Sequence, residues 1–264
     1  MEKLSAVIIT LNEEANIGRC IDSLWQVADE IIVLDSNSSD DTADIARQKG
    51  ALVTQRPFSG YIEQKNKALQ LTSHDYVLSL DADEMLSEVL TQSIWKEKSR
   101  FEYCAFYMNR SNKYCGKFIK YGLWYPNQKI RLFDKRIAYW GGRNPHDAVQ
   151  LPEGRKPRFL KGDIIHFAYS SVKEHVERNE ELSTIAANSL YIAGVKGHWT
   201  KIMLSPGWSF VHGYFLRGGI LDGYYGFIIA RLTARQSFLK YQKLRRLWKR
   251  KQSEITLLLN NLAN

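Results

Sequence analysis

Asp81, Asp83 and Glu84 stand within four residues at the end of an apolar run, in "DYVLSLDADEML" (Asp75 to Leu86). Carboxylates this close repel one another and are costly to desolvate. A hard divalent cation resolves the conflict. It takes oxygen ligands and needs only one or two protein carboxylates when a diphosphate and water supply the rest. Asp81 and Asp83 are two apart, so one can face a metal while the other turns to a hydroxyl. The same acids also suit the start of a helix, and the motif alone leaves both readings open. Asp35 closes a second apolar run, "EIIVLD", ahead of "SNSSDDT". There Ser36, Ser38 or Ser39 can donate to phosphate or cap a helix, and Asp35 can equally form an Asx turn. Asn12 and Glu13 follow a third run in "TLNEE", with helix capping again the alternative.

These ends need a scaffold that brings them together. "LSAVIIT" (4–10) reads as a strand, and residues 15–27 as a helix with Ile17, Cys20, Ile21 and Leu24 on one face. A strand at 30–35, a turn and a helix closed by Gly50, and a strand at 51–55 come next. A loop and helix fill 59–72, a fourth strand covers 75–80, and another helix starts near Ser87. Short connections between alternating strands and helices imply parallel strands with right-handed crossovers. The fold class expected is α/β, a mostly parallel central sheet flanked by helices. Ligands of such sheets bind at the carboxyl ends of the strands, where all three acidic loops fall. Residues 101–169 are aromatic and glycine-bearing and are expected to finish the sheet and form an acceptor cleft. Residues 171–194 read as a helix, 199–227 are aromatic and glycine-rich, and the rest reads as a basic helix.

The 264 residues carry a formal charge of +9, which is a local property. Nine basic residues fall between Arg231 and Lys251, and no acid lies between Asp222 and Glu254. Elsewhere 28 Lys and Arg balance 28 Asp and Glu. Three cysteines, Cys20, Cys104 and Cys115, exclude a disulfide framework and suit a reducing cytosol. The N-terminus does not read as a signal peptide. No segment reaches the ~18 uninterrupted apolar residues of a membrane span, so a soluble or surface-bound protein is expected.

"SAVIITLNEEANIGRCIDSL", "EIIVLDSNSSDDTADIA", "QKNKAL" and "VLSLDADEML" together resemble the inverting family 2 glycosyltransferases of the GT-A fold. The later "IRLFDK", "WGGRNPHDAV", "IIHFAY" and "GGILDGYYGFIIA" look like the branch of lipopolysaccharide core β-1,4-glucosyltransferases. The resemblance implies a GT-A (Rossmann-like) domain with a nucleotide-sugar-binding half at 1–100 and an acceptor half at 101–198. A helical, basic, membrane-associating region would follow at 199–264. It implies a UDP-hexose donor and Mg2+ or Mn2+ as cofactor. Thr10, Asn12 and Glu13 would lie against the nucleoside, and Asp35 at the second strand tip would accept from the base, with Ser36 beside it in the donor site. Gln64, Lys65 and Asn66 would approach the donor, Lys65 having a solvated helix cation as its alternative. Asp81, with Ala82 beside it, would contact the nucleoside or the metal shell, and Asp83 would ligate the metal. The family turn often reads D-S-G-S-T-D-G-T. Asn37 and Asp41 stand here for its glycines, and both tolerate left-handed backbone.

Inversion by direct displacement needs a carboxylate that removes the acceptor proton. Where the related branch commonly has Val-His-Glu, this chain has Pro145-His146-Asp147. Asp147 is the preferred base over Asp134 and Glu153, and His146 would orient it, meet the acceptor or be structural. His166 would complete the metal shell or be a core histidine. Arg131 and Arg143 would neutralise phosphate or pair with surface acids.

Residues 221–251 mix aromatic and apolar side chains with the nine cations. That composition suits a helix lying in a membrane interface, or one packing its apolar side on the protein. The expected partners are a nucleotide sugar, a glycan or lipid-linked acceptor and the inner-membrane surface, with no nucleic acid. The expected location is cytoplasmic, peripheral on the inner face of that membrane. Two other classes compete with a glycosyltransferase. A nucleotidyltransferase making activated sugars needs a glycine-rich, cationic loop after the first strand, which "TLNEEAN" lacks. An inactive sugar-nucleotide-binding relative would have no need of Asp81, Asp83 and a base.

Overall fold

The computed structural model describes residues 1–144 and 146–262, with side chains through Glu254. Pro145 and the last two residues of the expected C-terminal region lie outside the described residues.

The first half follows the hydrophobic pattern closely. The chain runs β1 (Leu4–Thr10), α1 (Glu14–Leu24), β2 (Glu30–Asp35), α2 (Thr42–Gln48), β3 (Leu52–Gln55), α3 (Tyr61–Gln70) and β4 (Tyr76–Asp81). Helix α1 buries Ile17, Cys20, Ile21 and Leu24, the face its spacing predicts. Helix α2 stops at Gly50, whose φ of 81° is the left-handed value that glycine adopts without a Cβ penalty. The Gly50 amide donates to the Arg47 carbonyl and the Ala51 amide to that of Ala46, which closes the helix end. A short β5 (Glu84–Leu86) precedes α4 (Glu88–Glu97), which Ser87 caps by accepting from the Leu90 amide. Ser87 is thus the cap, and the acids of "DADE" are left for other work.

The second half supplies β6 (Ala105–Tyr114), β7 (Lys117–Phe118), β8 (Gln128–Asp134), β9 (Tyr139–Arg143), β10 (His146–Gln150) and β11 (Arg158–Tyr169). The sheet order is β3-β2-β1-β4-β8-β6-β11-β5, and β9 and β10 form a separate hairpin. Strands β3, β2, β1 and β4 are parallel, as expected of strands joined by helices. Beyond β4 the pairing turns antiparallel, at β4–β8, β8–β6 and β11–β5. The sheet is therefore mixed rather than mostly parallel, because residues 101–169 reach it without intervening helices. Strand β11 crosses close to α4 at Gly162, φ 106°, where an added Cβ would sit 2.3 Å from the Leu90 nitrogen.

Residues Met1–Lys113 and Pro126–Ala168 form one compact unit, and Tyr114–Tyr125 with the chain from Tyr169 onward form another. The second unit holds α5 (Val172–Ile192), α6 (Trp199–Val211) and α7 (Gly223–Leu262), with a π-helical turn over His212–Leu216 and a 3-10 turn over Gly219–Asp222. The expected division at residue 198 is thus displaced, since α5 folds with the C-terminal region. Its most buried residues are His175, Asn179, Ser183, Ala186 and Ala187. These are mostly small or polar side chains that permit close approach, a face that apolar periodicity misses. Asn179 donates to the Leu232 carbonyl of α7 at 2.9 Å. The expected interfacial helix at 221–251 is covered in part, with Leu221, Tyr224, Phe227 and Phe238 left exposed. Ile229, Leu232 and Leu244 of α7 are buried, and the helix packs along α5 and α6. Arg235 and Lys243 pair with Glu180. No helix among the described residues is long and apolar enough to cross a membrane.

His175 is enclosed by aromatic rings in this unit. It stacks on Tyr169 at 4.3 Å between centroids, and its Nδ1 lies 3.1 Å from the Tyr114 hydroxyl. Burial pushes its pKa down to about 4. The unfolded chain takes up this proton near pH 6.5 and the folded chain only near 4. Stability is therefore complete above about pH 6.5 and falls by up to about 3 kcal/mol as pH drops to about 4. Urea unfolding at about pH 7 and about pH 4.5 should show a shallower acid loss for His175→Phe than for the native chain. Equal slopes would refute the assignment.

Candidate active site

Parallel register puts three strand ends side by side. Thr10 pairs with Asp35, and Asp81 pairs with Ile9 one residue earlier on β1. Beyond Thr10, Asn12 adopts φ 53°, and its side-chain oxygen accepts from the Ser39 amide at 2.8 Å. The Glu13 amide donates to Thr42 Oγ1, and its carboxylate accepts from Asn16 at 2.6 Å. The first two crossovers are thereby tied together. Asp35 is fully buried, accepting from the Ser38 amide and hydroxyl and from Gln55. Asp35 thus ties down the turn that follows β2. Asn37 takes the left-handed backbone expected of a glycine substitute, at φ 62°, whereas Asp41 at φ −77° needs none. Ser36 accepts from Gln64 at 3.0 Å, and Gln64 is itself buried with its side-chain oxygen unpartnered among the described residues.

The acids of "DADE" are divided among cations. Arg131 of β8 reaches Asp81 Oδ2 at 2.7 Å and Glu84 Oε1 at 2.8 Å. Lys65 Nζ sits 3.0 Å from Asp81 Oδ1, off the hydrogen-bond axis. Burial alone would raise the Asp81 pKa, but Arg131 and Lys65 outweigh it and hold the carboxyl well below the usual range. Lys65 also reaches Asp147 Oδ2 at 2.7 Å. One buried ammonium therefore joins the acid loop after β4 to the hairpin acid 66 positions later. Trp140 lies under both cations, its ring 4.3 Å from Lys65 Nζ and 5.6 Å from the Arg131 guanidinium carbon.

Asp83 faces His166 Nε2 at 3.0 Å, while His166 Nδ1 lies 2.6 Å from Asn112 Oδ1. With Nδ1 donating to Asn112, Nε2 presents a lone pair to a carboxylate, and that contact needs a proton or a cation between the two. Asp83 Oδ1 is buried without a hydrogen-bond partner among the described residues. A histidine whose other nitrogen donates to an oxygen is the usual arrangement of a metal ligand. The pair fits a divalent cation with an incomplete protein shell. No group of three or more His, Cys, Asp or Glu suited to a metal occurs among the described residues, so a diphosphate and water would complete it. Burial pushes the Asp83 pKa up, but His166 more than compensates and lowers it.

The family 2 glycosyl transferase model matches residues 5–150, which include every residue of this cluster except Asn112's partner His166. The chain belongs to glycosyl transferase family 2. An uncharacterised glycosyltransferase of Rickettsia typhi is 33% identical over 94% of this chain and 88% of its own length. The lipopolysaccharide core biosynthesis glycosyltransferase LpsC of Rhizobium meliloti is 30% identical over 91% of each. A crystal structure of glucosyl-3-phosphoglycerate synthase from Mycobacterium tuberculosis, in complex with Mn2+, UDP and its product, is 30% identical. That match spans 42% of this chain and 44% of the synthase, with a TM-score of 0.36. The GT-A fold named by the sequence motifs is the fold of this family 2 chain.

Three family 2 positions differ from their expected roles. Asn66 exchanges both amide groups with the Trp140 backbone, at 2.8 and 2.9 Å, and so anchors β9 rather than meeting a donor. Glu84, read as favouring the next helix, is fully buried in β5 between Arg131 and Arg110. Arg131 is not free for phosphate, since it holds Asp81 and Glu84, while Arg143 is exposed at the end of β9. Among the alternative bases, Asp134 pairs with Tyr76 at the far end of β4 and is held by Arg136. Glu153 is exposed in the turn after β10, and His146 is exposed in β10. Ala82 is buried beneath the acid pair. Trp140 and Asn112 escaped the sequence reading. Both sit in strands among ordinary neighbours, and only the fold brings Trp140 against Lys65 and Arg131 and Asn112 against His166.

Proposed function

We propose that this enzyme transfers a hexose from a UDP-sugar, with inversion and with the help of Mg2+ or Mn2+, to a lipid-linked glycan. Lipopolysaccharide core is the acceptor class suggested by the relative LpsC. The enzyme would work on the inner face of the cytoplasmic membrane. The observation that carries the reading is the Lys65 bridge, which sets Asp147 beside the metal-motif acid Asp81.

In this reading Thr10, Asn12 and Glu13 line the nucleoside, with Asp35 and Ser36 at the base and Gln64 alongside. Asp83 and His166 hold the cation, which when bound would offset charge on the departing diphosphate. Asp147 takes the proton of the acceptor hydroxyl as its oxygen bonds to the anomeric carbon, on the face opposite the leaving group. Lys65 holds Asp147 in place, and is itself fixed by Asp81 and Trp140. No covalent enzyme intermediate forms, so the product has the anomeric configuration opposite to the donor.

A thermal-shift panel of nucleotide sugars with Mn2+ or Mg2+ tests the donor class. A ligand at a hundredfold excess over its Kd stabilises the fold by about 2.7 kcal/mol. UDP-sugars should raise Tm, and a response to none of them would refute the donor. Asp83→Asn should abolish the metal-dependent part of the shift while leaving Tm without ligand nearly unchanged. A variant that still responds to Mn2+ would move the metal elsewhere.

A further inference from the structure

The second unit carries an apolar surface that its own packing leaves uncovered. Helix α6 has no buried residue at all. Trp199, Met203, Leu204 and Trp208 are each more than 60% exposed, and Phe215 and Leu216 extend the patch through the π-helical turn. An exposed apolar area this large marks an interaction surface.

Its rim is cationic. Between Glu181 and Glu254 there are twelve Lys and Arg and a single acid, Asp222. Asp222 is itself occupied, accepting from the Lys120 and Tyr121 amides. Lys196, Lys201 and Arg217 are exposed beside the apolar residues in the chain. A second copy of this chain would bring cations against cations with no acid to pair them. An anionic lipid surface complements both features, taking tryptophan and leucine into its interfacial layer and cations at its phosphates. The thirteen-residue α6 is far too short to cross the bilayer.

We infer that α6 and the turn after it dock this enzyme onto an anionic bilayer by shallow insertion, with Trp199, Leu204 and Trp208 as the inserting side chains. The inference deepens the proposed lipid-linked acceptor but rests on this surface alone. It also places the membrane contact upstream of the basic helix, where Ile229, Leu232 and Leu244 are buried.

The test is co-sedimentation of the full chain with vesicles of phosphatidylglycerol and phosphatidylcholine, against phosphatidylcholine alone. The native chain should pellet with the anionic vesicles, and added salt should weaken the binding. Leu204→Glu with Trp208→Glu should lower the partition coefficient about tenfold or more, with Tm unchanged because neither side chain is buried. Native-like pelleting of that variant would overturn the inference. So would failure of the native chain to pellet, or a native dimer that the same substitutions dissociate. Hydrolysis of a UDP-sugar without vesicles reads the donor site separately, so loss of one result leaves the other standing.

Discussion

Asp147→Asn is expected to lower kcat by about 10²–10⁴-fold, the usual contribution of a positioned general base. Donor binding and Tm should change little. The amide keeps an oxygen that can accept from Lys65, and Lys65 keeps its contacts with Asp81 and Trp140. Steady-state transfer with a radiolabelled donor, alongside Tm and donor KM, separates lost chemistry from lost binding. A turnover within threefold of native would remove Asp147 as the base. The rival acids offer no ready substitute, since Asp134 lies at the opposite end of β4 and Glu153 is exposed beyond the hairpin.

Arg131→Met should destabilise the fold by about 3–5 kcal/mol, the cost of stranding a buried charge when its partner is removed. Arg131 is 3% exposed and Glu84 not at all, and Arg131 is also the first-ranked attraction on Asp81. Urea unfolding near neutral pH measures the loss. Adding Glu84→Gln to Arg131→Met should recover part of it, because the stranded charge is gone. A loss below about 1 kcal/mol would mean that Arg110 and water replace Arg131. The acid response should change with it. Asp81 has a depressed folded pKa, so its stabilisation is complete above the unfolded value of about 3.9 and disappears as pH falls through the folded one. Without Arg131 that part of the acid sensitivity should diminish.

Lys65 illustrates how far linear reading reaches. In "QKNKAL" it is one of two lysines on a helix, and a solvated cation was as good a reading as a functional one. Its environment is set by β10, which pairs with β9 in antiparallel register, Asp147 opposite Gly142. Asn66, its neighbour, was expected at the donor and instead stitches α3 to β9. Two adjacent residues thus find different partners, two carboxylates for Lys65 and the Trp140 backbone for Asn66, according to which face of one helix turn each occupies.

From local pattern alone came β1 to β4 and the helices between them, the helix start near Ser87, the glycine stop at Gly50 and the acids at the strand tips. Each depends on interactions within a few residues or on the alternation of apolar side chains, both written along the chain. The division of Asp81, Asp83 and Glu84 among Lys65, Arg131 and His166 needed the fold. So did the packing of α5 with the C-terminal helices and the exposure of α6. Those outcomes depend on partners 16 to 83 positions away, whose approach is fixed by strand register and helix packing, and a charge or an apolar side chain does not record in its own neighbourhood which distant residue will cover it.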